Sequence, residues 1–262
     1  MTDSNDMHIT EGELNTMTAD LVDMHEQSFP KMREALAEFG ASVRHAAPAS
    51  RRTFLMGGGV VAGGLVLAAC SSSKKTTSGN GNSSPAPSSS SSGGGGKDNA
   101  ALATNAGLEN LAVFAYMTAL SDAGKGKLGK VPPAIATFVT TAMKQHQDHA
   151  QAFNSALTNA GGTAFKDPDP ALKAPVLAAY GKVKSLPDLA KLALLLENTA
   201  AETYIKQMST MMSPDGLAAV ATIAPVERQH AAILNFVLGQ YPVPDTFVPL
   251  DLARPDTDAG VK

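Results

Sequence analysis

The chain has 262 residues, a formal net charge of −3 and 5% aromatic residues, with no tryptophan. Its length accommodates one or two domains, and no basic patch in the second half marks it as a nucleic-acid binder. A single cysteine, Cys70, excludes both a disulfide framework and a thiolate metal site.

Residues 1–49 form an N-terminal extension. From Gly12 to Arg44 the pattern is that of an amphipathic helix. It precedes an arginine pair and is far longer than the leading region of an ordinary signal. Two readings stay open: a cytoplasmic extension removed on export, or a translation start at an internal methionine such as Met32.

Residues 50–70 read as an address. Ser50 to Met56 spell "SRRTFLM", and Phe54 to Ala69 are uncharged and carry five glycines before the ending "LAAC". Arg51 and Arg52 ahead of a mildly apolar run resemble a twin-arginine (Tat) export signal, which delivers folded proteins. The ending resembles a lipobox, in which Cys70 becomes the lipidated first residue of the mature protein. The apolar run is shorter than the ~20 residues of a transmembrane helix. The expected location is the cell envelope, on the outer face of the cytoplasmic membrane. Stable anchoring through Cys70 takes two or three acyl chains, since one binds only marginally.

Residues 71–97 are rich in Ser and Gly, with one Ala as their only aliphatic side chain. Such a segment buries too little apolar surface to offset its ordering entropy. It is expected to be a tether reaching roughly 30 Å as a coil.

Residues 98–240 carry 3.6-residue periodicity and no strand-like alternation. A first helix is expected from about Asn99 to Leu120, and a second from Pro132 to Asn159, stopped by Gly161-Gly162. A proline-rich crossing, "FKDPDPALKAP", leads into a short helix toward Val183. A third long helix opens at Ser185 and runs to about Met212. The fourth has Ser213 as N-cap and Pro214 at its first position, and ends near Leu238 before Gly239. Residues 241–262 are a tail. Two short connections and one long one describe an all-α four-helix bundle made of two hairpins joined by a crossover.

The hairpins repeat each other. "LENLAVFAY" from Leu108 matches "LENTAAETY" from Leu196, and "HQDHAQAFNSAL" from His146 matches "ERQHAAILNFVL" from Glu227. Seven residues are nearly two turns, so Glu109 shares a helix face with Tyr116, and Glu197 with Tyr204. Three residues apart, His146 shares a face with His149, and Glu227 with His230. These faces are otherwise apolar. Carboxylates gathered in one core repel one another strongly unless a cation lies among them. The same domain holds only four glutamates and three histidines, and this pattern takes three of the former and all of the latter.

Two helices each giving a Glu and two each giving Glu-x-x-His form the ligand set of di-iron and di-manganese carboxylate proteins. The chain therefore resembles the ferritin-like superfamily, in its exported bacterial branch, related in pattern to rubrerythrins and desiccation-related proteins. The resemblance covers about Asn99 to Gly239. It implies a ferritin-like bundle with Glu109, His146, His149, Glu197, Glu227 and His230 around iron or manganese, two ions in the full set. One position departs from the pattern, because His146 stands where the family has a glutamate. Three carboxylates and three imidazoles leave two divalent ions with net positive charge. An altered dinuclear centre, a single ion and a decayed site are all compatible with that exchange. Tyr116 and Tyr204 either donate to ligand carboxylates or are core aromatics. Pro225 is expected to free a backbone carbonyl near Glu227.

Two functions follow from the resemblance. One is a di-metal oxidoreductase, of ferroxidase or peroxidase/catalase type, acting on peroxide, O2 or ferrous iron. The other is a non-enzymatic metal-binding or stress-related envelope lipoprotein. A lipid anchor suits a monomer or homodimer better than a cage.

Overall fold

The computed structural model describes residues 9–46 and 94–255. Arg51, Arg52 and Cys70 lie outside the described residues, as does the tether up to residue 93. Among the described residues every regular element is a helix: α1 (Glu11–Ala46), α2 (Gly94–Gly124), α3 (Pro133–Asn159), α4 (Pro170–Tyr180), α5 (Leu186–Gln207) and α6 (Pro214–Val237). No helix among them is long and apolar enough to cross a membrane.

Local chemistry sets most helix ends. The Ser185 side chain accepts from the Asp188 N–H and that of Ser213 from the Gly216 N–H, each followed by a proline in the first turn. Asp169 caps α4 by accepting from the N–H groups of Ala171 and Leu172. Gly161 and Gly239 have φ of 86° and 70° just past α3 and α6. There the N–H of Gly162 returns to Leu157 O, and that of Gln240 to Asn235 O, closing both helix ends.

Three ends differ from expectation, one of them the end of α2, at Gly124 rather than Leu120. α2 begins at Gly94 rather than Asn99, with the Asp98 carboxylate holding its first turns against the Met212 and Ser213 N–H groups. α5 stops at Gln207 rather than Met212 because the following N–H groups close tight turns, Ser209 onto Lys206 O and Thr210 onto Gln207 O. α6 runs through Pro225 without interruption.

The hairpins α2–α3 and α5–α6 pack together through α2 and α5, while α3 and α6 touch each other little. α1 lies against both of them. Its buried side chains Leu14, Thr18, Leu21, His25, Met32, Leu36 and Phe39, with the half-buried Phe29 between His25 and Met32, recur every three or four residues, a single seam along the helix. Leu14 and Leu21 join one core cluster, with Phe138, Ile233 and Leu234. Met32, Leu36 and Phe39 join the other, with Phe153, Tyr204 and Val220. Each fully buried side chain of this kind contributes about 1.5–3 kcal/mol.

The start of α1 is also defined. The Thr10 hydroxyl accepts from the Glu13 N–H at 3.2 Å, and a Glu13 carboxylate oxygen accepts from the Thr10 N–H at 2.9 Å, forming a capping box. One helix therefore extends continuously on both sides of Met32. The sequence pattern told of a helix here; its place in the core comes from the structure.

The tail returns over α5. Leu252 N–H donates to Glu202 at 2.6 Å, and Arg254 N–H to the Thr203 hydroxyl at 2.9 Å.

Candidate metal centre

Four helices converge on one buried layer between the two core clusters. α2 brings Glu109, α3 His146 and His149, α5 Glu197, and α6 Glu227 and His230. None of the six is more than 1% exposed. Their ligand atoms form two groups of four, each with all atoms within 4.8 Å of one another. The first is Glu109, His146, His149 and Glu227; the second is His146, Glu197, Glu227 and His230. His146 and Glu227, the opening residues of the two x-x-x-His elements, belong to both groups.

The contacts show what each side chain does. His146 Nδ1 is 2.7 Å from Glu109 Oε2, and its Nε2 is 3.3 Å from Glu197 Oε1. One imidazole thus spans the carboxylates of both hairpins. His149 Nδ1 faces Glu227 Oε1 at 3.3 Å, and His230 Nδ1 faces Glu197 Oε2 at 3.2 Å. The two tyrosines are exchanged between the repeats. Tyr116 donates to Glu197 of the second hairpin, and Tyr204 to Glu109 of the first.

Two further residues act on the centre from outside the expected set. His230 Nε2 is 2.8 Å from Gln145 Oε1, and Gln145 Nε2 donates to the Leu21 carbonyl of α1 at 3.3 Å. His149 Nε2 is 3.2 Å from His25 Nε2, also on α1. The His25 ring stacks on Phe29, with ring centroids 4.8 Å apart. A polar residue on the apolar stripe of α1 was the available signal for His25. Gln145 had none beyond its place next to His146.

Charges in the cluster compensate one another. Burial pushes the Glu109 pKa up, but His149 and His146 outweigh it and hold the carboxyl down at about 2. Burial opposes ionisation of Glu197 too, and His146 and His230 hold it well below the usual range. Burial disfavours each imidazolium, yet the glutamates raise His149 to about 9, His146 well above its ordinary value, and His230 in the same direction. Burial and a carboxylate neighbour keep Tyr116 and Tyr204 protonated as donors. Burial and the neighbouring His149 hold His25 down at about 4, so it stays neutral at pH 7.

The donor set fits divalent cations. His149 Nδ1 and both carboxylate oxygens of Glu227 are buried without a hydrogen bond. These three atoms are held only by ion-pair contacts of 3.3–3.8 Å, to one another and to Glu109, His146 and His230. Those contacts are looser than the 2.7 Å between His146 and Glu109, which leaves their lone pairs to a cation placed among them. Mixed nitrogen and oxygen donors suit iron, manganese or zinc. Beside the layer, a cavity of about 50 Å3 is lined almost wholly by apolar side chains, among them Phe138, Ala190 and Leu234, with Tyr116 at its edge.

The family model for the ferritin-like domain matches residues 96–240. Comparison with curated proteins and with solved structures found no match. The matched span contains all six residues of the layer, both tyrosines and Gln145, and leaves α1 outside it.

Proposed function

Since the chain belongs to the ferritin-like domain family, we propose that it is an extracytoplasmic, membrane-tethered metalloprotein holding two iron or manganese ions for redox chemistry with peroxide, O2 or ferrous iron. The observation that carries this reading is the pair of four-residue groups sharing His146 and Glu227. Export rests on Arg51-Arg52 and the apolar run, and tethering on Cys70 in its lipobox-like setting.

The residues divide the work. Glu109 and His149 would hold one ion, Glu197 and His230 the other, with Glu227 and His146 between them. Each histidine offers a lone pair only when neutral, so loading displaces the protons that now pair the imidazoles with carboxylates. Tyr204 fixes the Glu109 oxygen that faces away from the histidines, and Tyr116 fixes the Glu197 oxygen that also meets His146, so both carboxylates are oriented for binding. The helices and the apolar layers above and below exclude water. Paired ions, when bound, supply a place where both oxygens of O2 or peroxide are engaged together.

A second reading draws on His146. Its nitrogens already span Glu109 and Glu197, so the cluster satisfies much of its own charge. That arrangement favours a non-enzymatic metal-binding or stress-related lipoprotein with an altered centre.

Metal content of the full chain, grown with iron and manganese, against a Glu197→Ala/His230→Ala variant separates these. Two equivalents in the wild type, with at least one lost in the variant, support the dinuclear centre. One equivalent assigns a single ion to a site rebuilt by His146. None in a folded wild type overturns the metalloprotein reading.

A further inference from the structure

α1 reaches the metal centre at two points, both on the far side of a histidine. A histidine that gives Nδ1 to a cation keeps its proton on Nε2 and needs an acceptor there. For His149 the acceptor is His25 Nε2, at 3.2 Å. For His230 it is Gln145 Oε1, and the Gln145 amide is itself held by the Leu21 carbonyl. The outward nitrogen of His149 therefore ends directly on a helix outside the family-matched residues, and that of His230 reaches the same helix through Gln145.

The fit of α1 to α3 runs over the whole length of α3. The Glu11 carboxylate faces the Ala134 N–H at the first turn, at 3.4 Å, and Arg44 Nε donates to the Asn159 carbonyl at the last, at 2.9 Å. An acid at the N-terminus and a base at the C-terminus both complement the dipole of α3. Near that end a Cβ on Gly40 would stand 2.5 Å from Asn159 Cβ and 3.1 Å from the Ala156 carbonyl oxygen, so only glycine permits the approach.

Its position in the chain is the second observation. α1 ends at Ala46, ahead of Arg51-Arg52 and of Cys70. An arginine pair holds its flank on the cytoplasmic side of the membrane. A bundle that crosses must then part from a helix that stays behind, and cleavage ahead of Cys70 makes the parting permanent.

We propose that α1 is a removable fifth helix of the metal centre, which orients His149 and His230 and seals the ligand layer until export and cleavage ahead of Cys70 strip it away. This rests on the metal centre and the export route proposed above. Its loss bares the seam between α3 and α6 over His149, giving water, small solutes and divalent cations a route to the layer.

The test uses the full chain with a protease recognition sequence inserted just before Cys70, cut after folding. In the metal-free chain, His149 labelling by diethyl pyrocarbonate is followed by peptide mass spectrometry. His149 is expected to be protected in the intact chain, and to react at least about 10-fold faster once the cut chain has shed α1 on gel filtration. The same exposure is expected from Gly40→Leu without cutting. In the manganese(II)-loaded intact chain, His25→Leu is expected to speed loss to a chelator about 10- to 100-fold, the usual effect of removing a ligand's supporting partner. His25→Gln, which keeps an acceptor, is expected to restore much of the retention. An α1 that stays on the cut bundle with His149 protected overturns the proposal, as does a His25→Leu chain that holds manganese like wild type. A wild-type chain that takes up no manganese overturns the proposed metal centre instead, and the labelling result then judges α1 alone.

Discussion

Tyr116 donates its hydroxyl to Glu197, a carboxylate 81 residues away in the other hairpin, and Tyr204 returns the bond to Glu109. The repeated nine residues thus encode a reciprocal exchange between the hairpins. A hydrogen bond to a charged acceptor is worth about 1.5–3 kcal/mol. Tyr116→Phe and Tyr204→Phe should each destabilise the metal-free chain by about that amount in urea unfolding. A loss below about 0.5 kcal/mol in both would mean that the hydroxyls are not held as described.

His146→Glu would restore the family's carboxylate and remove a cation. In the metal-free chain four buried carboxylates would then face two histidines, so the melting temperature should fall. Two divalent ions would be fully neutralised by the new set, so manganese or ferrous iron should raise the melting temperature more than in wild type. Calorimetry with and without metal reads both shifts. An equal metal-induced rise in the two chains would show that His146 does not limit loading.

The metal-free chain should be most stable in a mildly acidic window. His149 is raised from 6.5 to about 9, so its contribution is complete below 6.5 and is lost as the pH rises through about 9. Glu109 is lowered from 4.5 to about 2, so its contribution is complete above 4.5 and is lost as the pH falls through about 2. His25, lowered from 6.5 to about 4, contributes fully above 6.5 and loses that contribution as the pH falls through about 4. Melting temperature against pH should therefore peak near 6.5, the upper edge of the window between 4.5 and 6.5. Metal binding runs against this proton inventory, and affinity should climb with pH toward about 9 while protons are released. A flat apparent affinity from pH 6 to 9 would show that the histidines are not ligands.

Cys70→Ala should release the exported domain from the membrane fraction, and Arg51→Lys/Arg52→Lys should keep it inside the cell. Intact mass of the membrane-bound form reads the first residue directly. A chain still beginning at Met1 in that fraction would contradict cleavage ahead of Cys70.

The fold was legible where the chemistry is local. Ser213 with Pro214, and the glycines after Asn159 and Leu238, mark helix ends through bonds made within a few residues. The ligand faces were legible because a helix turns a spacing of three or seven into a direction. The docking of α1 was not legible. Its stripe of buried residues says that a partner exists, but the partner lies on α3 and α6, and the pairing of His25 with His149 spans 124 residues. Glycines at 94–96 read as coil because each costs a helix about 1 kcal/mol. Contacts made by the neighbouring Asp98 with the start of α6 accompany the longer helix.

About one turn from Glu109, Asn105 and Gln207 clasp each other through both amides, at 2.9 and 2.8 Å, joining α2 to α5. Neither residue is more than 1% exposed. Sliding α2 along α5 by one residue would carry Glu109 about 1.5 Å out of step with Glu197, against the ~0.2 Å tolerance of a metal ligand. The same slip would break both amide bonds with no water to replace them. The clasp is a vernier: it sets the level of two carboxylates it never touches.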